Sequence, residues 1–157
     1  IPLQSYSSFI SHHFEQGGYT ISEEAIRYLY EKFEGTTWYI QKICNEVFAV
    51  AEPDHVCGIN EVDTAIVTAI EEKDDTFQDL LDRLTINQKT LLLAIAQSDG
   101  NIQPTSSTFI KKHKLTSPSA VQRSLASLQE KDIVTSANGR FFVYDYFLKF
   151  WLRKRFK

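Results

Sequence analysis

The sequence predicts a mainly α-helical chain in two parts, a small helical bundle followed by a helical segment that carries a β-hairpin. Helical periodicity recurs along the chain between start and stop signals. Near the C-terminus, Asn138-Gly139 separates two β-prone runs, which is the strongest short-range signal for a hairpin. Charge is also divided. Residues 1–80 hold 4 Lys/Arg against 15 Asp/Glu, a net −11, and residues 81–157 hold 13 against 5, a net +8.

The first part is placed at residues 1–76 and is predicted to contain four helices. Apolar residues at i, i+3, i+4 and i+7 spacing mark one face of each helix. The start and stop signals are Gly17-Gly18 after the first helix, Ser22 and Gly35 around the second, Thr36 or Thr37 and Pro53 around the third, and Asn60 at the start of the fourth. The charged stretch Glu71–Asp75 is interpreted as a solvated helix end or hinge.

The second part, residues 77–157, has the order helix, helix, turn, helix, hairpin. Its signals are a connecting helical turn from Phe77 to Leu84, a helix from Thr85 to Asp99-Gly100, a short helix from Ser106 or Ser107, a helix capped by Ser117-Pro118, the hairpin, and a final helix with a basic tail. This order is typical of a winged helix-turn-helix with a β-hairpin wing. Such a motif places the N-terminal residues of its second helix in the DNA major groove.

The candidate DNA-binding residues lie on the two helices of the motif and on the wing. They are Lys111, Lys112, Lys114, Ser117, Ser119, Gln122, Arg123 and Arg140, with Ser127 also expected to be exposed. Gln122 and Arg123 can make bidentate contacts to adenine and guanine. The lysines and Arg140 at the wing tip suit phosphates, because positive charge there releases counterions. The alternative is that this face contacts protein or solvent, since a fold does not determine a function.

Several other kinds of site and segment are not expected. There is no apolar run of the ~20 residues that a membrane helix requires, and no signal segment, which favours a cytoplasmic protein. Cys44 and Cys57 could form one disulfide, but reduced thiols are favoured. Together with His55 they match no zinc spacing, so no metal is expected. Trp38 and Trp151 each lie in a helical stripe and are interpreted as core.

No enzyme site can be assembled from the sequence. A G-x-x-x-x-G-K-[ST] phosphate loop and a G-x-S-x-G elbow are both missing. The chain is therefore not expected to be an enzyme or to hold a cofactor of its own. It also contains no Met and starts at Ile1. We accordingly expect a fragment of a longer protein.

Several strings of this sequence resemble the C-terminal part of prokaryotic P-loop ATPases, the archaeal-type ATPases of the AAA+/STAND group. The strings are Glu24-Ala25-Ile26, Tyr30 to Gln41, Leu84-Thr85 with Gln88-Lys89, Leu91 to Ala96, Ser117 to Gln122 with Ser124-Leu125 and Leu128, Val143-Tyr144-Asp145, Phe147-Leu148, and Trp151-Leu152. The resemblance covers nearly the whole chain. The layout is also similar to that of origin-recognition initiators.

This resemblance implies that residues 1–76 form a helical lid and that the nucleotide-binding domain, with its ATP and Mg²⁺, precedes Ile1. It also places Gly35, Thr37 and Trp38 near the nucleotide. The stretch from Gly35 to Trp38 departs from the family, because it lacks the Gly-x-Pro of STAND members and the arginine sensor of initiators. Trp38 could pack on an adenine or on the missing domain, or belong to the lid core.

The leading hypothesis is a non-catalytic fragment of an ATPase, in which the lid couples the nucleotide state to a winged helix that binds double-stranded DNA. A second hypothesis makes the winged helix a protein-interaction or autoinhibitory module. Its basic face would then dock on the acidic lid or on the missing nucleotide-binding domain. A third is a free-standing transcriptional regulator with a helical sensor domain.

Overall fold

The computed structural model describes residues 1–99 and 102–157, which divide into two compact units, Ile1–Glu71 and Glu72–Lys157. The sequence places the boundary slightly later, after residue 76. Unit 1 holds 3 Lys/Arg against 11 Asp/Glu, a net −8, and unit 2 holds 14 against 9, a net +5. The opposite charge of the two halves therefore persists when the count follows the structural units. Gly100, part of a predicted helix stop, lies outside the described residues.

Unit 1 is a bundle of four helices with one very short sheet. Its elements are α1 (Leu3–Gln16), β1 (Thr20–Ile21), α2 (Glu23–Lys32), α3 (Thr37–Ala49), β2 (Val56–Cys57) and α4 (Ile59–Glu71). Strands β1 and β2 pair in parallel, with Thr20 opposite Val56 and Ile21 opposite Cys57. The sequence does not predict this sheet, because two-residue strands are too short to show an alternating pattern.

The core of unit 1 forms where the apolar stripes of its helices meet. The largest side chains there are fully buried, namely Phe14, Ile26, Leu29, Phe33, Ile40, Ile43 and Val47. The predicted cap at Ser22 is confirmed, since its side chain accepts a hydrogen bond from the Ala25 N–H at 3.1 Å. Gly35 follows α2 with a φ of +72°, a conformation in which an L side chain is strained.

Two helix boundaries in unit 1 differ from the sequence prediction. Asn60 does not cap α4. Instead the Glu61 carboxylate reaches back and accepts from the Gly58 N–H at 2.8 Å, as a glutamate in the third helical position can do. Helix α3 ends at Ala49, ahead of Pro53. There Val50 N–H bonds to Val47 O and Ala51 N–H to Phe48 O, so the last turn is tight.

Both cysteines of unit 1 are free thiols and both are buried, so the alternative of a disulfide is wrong. Burial raises the pKa of the Cys44 thiol to about 12 and also raises that of Cys57, where the charge of Glu61 adds to the effect. Within residues 1–99 and 102–157, no three His, Cys, Asp or Glu side chains converge as metal ligands. None of the helices described for this chain is long and apolar enough to cross a membrane.

Unit 2 consists of five helices and a β-hairpin in its described part. Its elements are α5 (Asp74–Asp82), α6 (Ile86–Gln97), α7 (Ser107–Lys112), α8 (Pro118–Glu130), β3 (Val134–Ala137), β4 (Arg140–Val143) and α9 (Tyr146–Arg155). The hairpin is antiparallel, with Val134 opposite Val143 and Ala137 opposite Arg140. Its turn residues Asn138 and Gly139 have φ of +53° and +75°, the positive values that a type I′ turn requires. The mainly helical fold with a hairpin wing is therefore confirmed.

Helix α6 is the centre of unit 2 and packs on α8, α9 and β4. The buried side chains that join these elements include Leu91, Leu92, Leu128, Phe147 and Leu152, each no more than 1% exposed. The predicted cap at Thr85 is confirmed as a complete capping box. Gln88 N–H donates to the Thr85 hydroxyl, and the Gln88 side chain accepts from the Thr85 N–H.

The segment predicted as a connecting turn is a nine-residue helix, α5. The charged stretch before it is more than a solvated end. The Asp74 carboxylate accepts from Trp151 Nε1 at 2.8 Å and from Arg155 Nη1 at 3.2 Å. These bonds join the start of α5 to α9. Local sequence could not reveal them, because the partners are about 80 residues apart along the chain.

Candidate nucleic-acid interface

The two helices of the helix-turn-helix motif, α7 and α8, are joined by a tight turn. Lys114 has a φ of +55°, and the Leu115 N–H returns to the Ile110 carbonyl at 2.9 Å, which closes the end of α7. Helix α8 then begins with a Ser117 hydroxyl that accepts from the Ala120 N–H, and Pro118 occupies its first position. Ser117 therefore positions α8 through this cap, and its hydroxyl already accepts one hydrogen bond within the protein.

Helix α8 buries one face and exposes the other. The buried face consists of Ala120, Val121, Ser124, Leu125 and Leu128. The exposed face carries Ser119, Gln122, Arg123 and Ala126. The side chains of Lys111, Lys112, Lys114 and Arg140 are also exposed, as the sequence predicts. The structure thus places seven of the eight candidate residues on the surface and leaves Ser117 half-buried.

Ser127 is not freely exposed, in contrast to the expectation. It is half-buried and accepts from Gln88 Nε2 at 3.0 Å and from Lys131 Nζ at 3.3 Å. Gln88 lies in the first turn of α6, so Ser127 joins α8 to α6. Its hydroxyl contributes to the packing of the two helices and not to the open face of α8.

The surface around α7 and α8 has no acidic side chain from its own segment. No Asp or Glu occurs between Gly100 and Gln129, while four Lys/Arg do. These four are Lys111, Lys112, Lys114 and Arg123, and Arg140 on the wing adds a fifth. In the described part of the chain, none of the five forms an ion pair. We call these five residues the basic surface.

The cations of the C-terminal tail are used differently. Arg153 donates to the Ala96 carbonyl at 2.5 Å and to the Asp99 carboxylate at 2.9 Å, which caps the C-terminal end of α6. Arg155 pairs with Asp74 and lies over the Trp151 ring at 5.1 Å. The sequence predicts only a basic tail here. The structure shows that its two arginines join α9 to the end of α6 and to the start of α5.

Comparison with known protein families agrees with this geometry. A family model described as "Probable winged helix domain" matches residues 75–154, slightly more than half of the chain. The chain belongs to this winged helix family. The match covers every helix and strand of unit 2, except for the first residue of α5 and the last residue of α9. No curated protein and no solved structure is similar enough to count as a match.

One histidine of the winged helix is half-buried beside Lys112 and Lys114 of the basic surface. His113 follows α7, its ring lies 4.5 Å from that of Phe109, and its Nε2 atom is buried with no hydrogen-bond partner in the described chain. Burial lowers the pKa of this imidazole, and the charge of Lys112 lowers it further. His113 is thus held neutral near pH 7 and adds no charge to the basic surface.

The three residues that the resemblance places near a nucleotide lie at the junction of α2 and α3. Gly35 closes α2, and the Thr37 hydroxyl bonds to the Tyr6 hydroxyl. Trp38 is 57% exposed and meets the Tyr39 ring edge-on. The interpretation of Trp38 as core is therefore wrong. It precedes Ile40 by two residues, roughly 200° around the helix, so it lies opposite the buried stripe.

Proposed function

We propose that the winged helix binds double-stranded DNA, with α8 in the major groove and the lysines of the basic surface on phosphates. The observation that carries this proposal is a set of five exposed cations without ion pairs among the described residues, four of them in the stretch between Gly100 and Gln129, which has no acidic residue. The charge of a cation without an acidic partner is not neutralised within the protein, so it can act fully on a phosphate. Such contacts release counterions when DNA binds.

The roles follow from position on the two helices. Gln122 and Arg123, on the exposed face of α8 near its start, suit base edges, because their side chains can form two hydrogen bonds to adenine and guanine. Ser119 lies one helical turn before Gln122 and Arg123, within reach of the same base edges. Lys111, Lys112 and Lys114 flank this face, and Arg140 extends it to the wing. Contacts of these four to phosphates would set the orientation of α8.

The test is a charge-matched pair of triple variants of the whole chain. Changing Lys111, Lys112 and Arg123 together to Gln should lower affinity for a duplex by about 100-fold at ~50 mM salt and make the salt dependence shallower. The control changes Arg83, Lys154 and Lys157 to Gln, which removes the same charge from exposed cations of unit 2 outside the basic surface. Fluorescence anisotropy measures both.

The outcome is decisive in either direction. A large loss for the first variant and a small one for the control support DNA binding through the basic surface. Equal losses would show that only net charge matters. Wild-type protein that does not bind a duplex at ~50 mM salt, or binds it with no salt dependence, would overturn the proposal.

We also propose that the chain acts as the non-catalytic C-terminal part of a P-loop ATPase. Unit 1 would be its lid, and a domain preceding Ile1 would bind ATP and Mg²⁺. The support is the resemblance of unit 1 and the winged helix to that group of ATPases. The test is to sequence the gene upstream of the Ile1 codon. A Walker-type loop there is expected, and its absence would contradict this part of the proposal.

A second candidate function rests on the opposite charge of the two units, −8 and +5. The basic surface could dock on an acidic protein surface instead of DNA. In that case hydrogen exchange in residues 113–117 of the whole chain should slow at low salt without DNA, because the turn would be covered. Exchange that does not depend on salt would count against this candidate.

A further inference from the structure

A cleft of about 160 Å³ opens beside α8. It is formed by the first turn of α6, the turn between α7 and α8, and the buried side of α8. Its apolar walls include Ile86 and Leu115, and Ile86 is 80% exposed at the rim. The volume corresponds to about five water molecules, enough for a phosphate group but not for a drug-sized ligand.

Five polar side chains line the cleft, and four of them make no hydrogen bond to a described residue, whereas the Thr90 hydroxyl donates to the Ile86 carbonyl at 2.8 Å. Asn87, Lys114 and Thr116 are exposed, and none makes a side-chain hydrogen bond in the described chain. Ser124 lines the same cleft but is only 8% exposed, and its hydroxyl also has no partner among the described residues. The residue is buried, yet its hydroxyl is not closed off from the cleft, so it is placed to bond a ligand atom or a water there.

The backbone of α6 adds to this set. The Thr85 hydroxyl satisfies the Gln88 N–H, but it leaves the N–H groups of Ile86 and Asn87 without acceptors. The first turn of α6 contains no acidic residue. The positive end of the α6 dipole therefore has no carboxylate from its own turn to balance it.

The chemistry of these groups selects the ligand. Every polar side chain of the cleft can donate a hydrogen bond, Lys114 carries a positive charge, and no acidic side chain lines it. An apolar group would leave the donors unpaired, and a cation would be repelled. The apolar rim at Ile86 suits the sugar that adjoins a phosphate in a nucleic-acid strand. Lys114 belongs both to the cleft and to the basic surface.

We propose that this cleft binds one phosphodiester group of the DNA strand that α8 contacts, an inference that rests on the proposed function. Asn87, Lys114 and Thr116 hold the phosphate oxygens, and Ser124 holds one of them or a bridging water. The sugar lies on Ile86. The DNA interface therefore extends from the basic surface to the start of α6, which carries no cation in the cleft.

The test adds a negative charge to the cleft without changing its shape. Asn87→Asp is isosteric and favours the helix start electrostatically, so reduced affinity would not reflect unfolding. Duplex affinity should fall about tenfold. The slope of log affinity against log salt should become shallower by about the amount that one phosphate contact contributes. The control, Asn45→Asp, adds the same charge to an exposed position of α3 in unit 1.

A second variant tests the Ser124 hydroxyl. Ser124→Ala keeps the helix and should lower affinity about threefold, the size expected for one hydrogen bond. NMR spectra during a duplex titration should show shifts of the Asn87 side-chain amide and the Thr116 backbone amide. Equal affinities for Asn87→Asp and Asn45→Asp, together with unshifted Asn87 signals, would overturn the cleft proposal.

The two proposals fail in different ways. If the basic-surface triple variant loses affinity but Asn87→Asp does not, only the cleft proposal fails. If the wild-type chain does not bind a duplex, the DNA-binding function fails and the cleft proposal fails with it. If Asn87→Asp weakens binding of an acidic peptide but not of DNA, the cleft is a protein site and the proposal is wrong.

Discussion

Units 1 and 2 place their ion pairs differently. In unit 1 several acidic groups have polar partners, such as Glu61 with His55 and Asp63 with the Tyr28 hydroxyl at 2.5 Å. In unit 2, Asp74 and Asp99 each bind an arginine of α9. The cations around α7 and α8 form no ion pair with a described residue. The position of the ion pairs, more than the net charge, distinguishes a structural charge from one available to a ligand.

The two tryptophans show the same contrast. Trp151 is 4% exposed, donates to Asp74 and carries Arg155 over its ring, whereas Trp38 of unit 1 is 57% exposed. The same residue type therefore stabilises unit 2 and leaves a large apolar surface on unit 1. Substitutions at the two positions measure this difference directly.

The largest expected effect is at Trp151. Trp151→Ala should reduce the free energy of unfolding of unit 2 by about 3–5 kcal/mol, because it removes a buried aromatic side chain. Trp38→Ala should cost unit 1 less than about 1 kcal/mol, as for most surface substitutions. Urea denaturation followed by circular dichroism measures both. Equal losses at the two positions would contradict the comparison.

Trp151→Phe serves as the internal control. It keeps most of the apolar volume but removes the Nε1 donor to Asp74, so a loss of about 1–2 kcal/mol isolates the hydrogen bond to the carboxylate. A variant as stable as the wild type would mean that the bond between α5 and α9 contributes nothing.

The next effect concerns one glycine in each unit. Gly35 and Gly139 both have positive φ, but a Cβ at Gly35 would lie 3.0 Å from the Tyr30 ring, while nothing lies within 4 Å of one at Gly139. Gly139→Ala should therefore cost about 1 kcal/mol from backbone strain alone, and Gly35→Ala about 2 kcal/mol. Thermal unfolding of the two variants measures the difference. A larger loss at Gly139 would refute this account.

The smallest effects separate the units by pH. The pKa of His113 lies below its ordinary 6.5 because of burial, so the unfolded chain takes up this proton first. Unit 2 should lose stability as pH falls from 6.5 toward the lowered pKa.

The pKa of Glu61 lies below its ordinary 4.5, chiefly through its hydrogen bond with His55. Its contribution to unit 1 is present above pH 4.5 and is lost as pH falls through the lowered pKa.

Two variants test these two pH ranges. His113→Gln should flatten the pH dependence of unit 2 below pH 6.5, and Glu61→Gln should flatten that of unit 1 below pH 4.5. Urea midpoints at several pH values, with hydrogen exchange to assign them to each unit, provide the measurement. A pH dependence that survives both substitutions must come from other groups.

Local chemistry explains why much of the fold could be predicted. Caps at Ser22, Thr85 and Ser117, and the turn at Asn138-Gly139, each depend on residues within a few positions of one another. The exposed face of α8 also followed from helical periodicity. The cap predicted at Asn60 was wrong because Glu61, one residue later, competes for the same helix start.

Contacts between distant residues could not be predicted in this way. The bonds from Trp151 to Asp74 and from Arg153 to Ala96 join residues far apart in sequence, and the cleft beside α8 exists only where α6 meets the turn after α7. The burial of Trp151 and the exposure of Trp38 are likewise tertiary outcomes, although both residues lie in helices.

The helices, the hairpin, the division of charge and the winged helix order all follow from the amino-acid sequence, because they depend on periodicity, turn chemistry and composition. Which cations are available to a ligand depends on the packing of distant elements. This packing pairs Arg153 and Arg155 with Asp99 and Asp74, and it leaves the five cations of the basic surface without acidic partners among the described residues. An ion pair requires two side chains within about 4 Å, and only the packing of distant elements brings them that close.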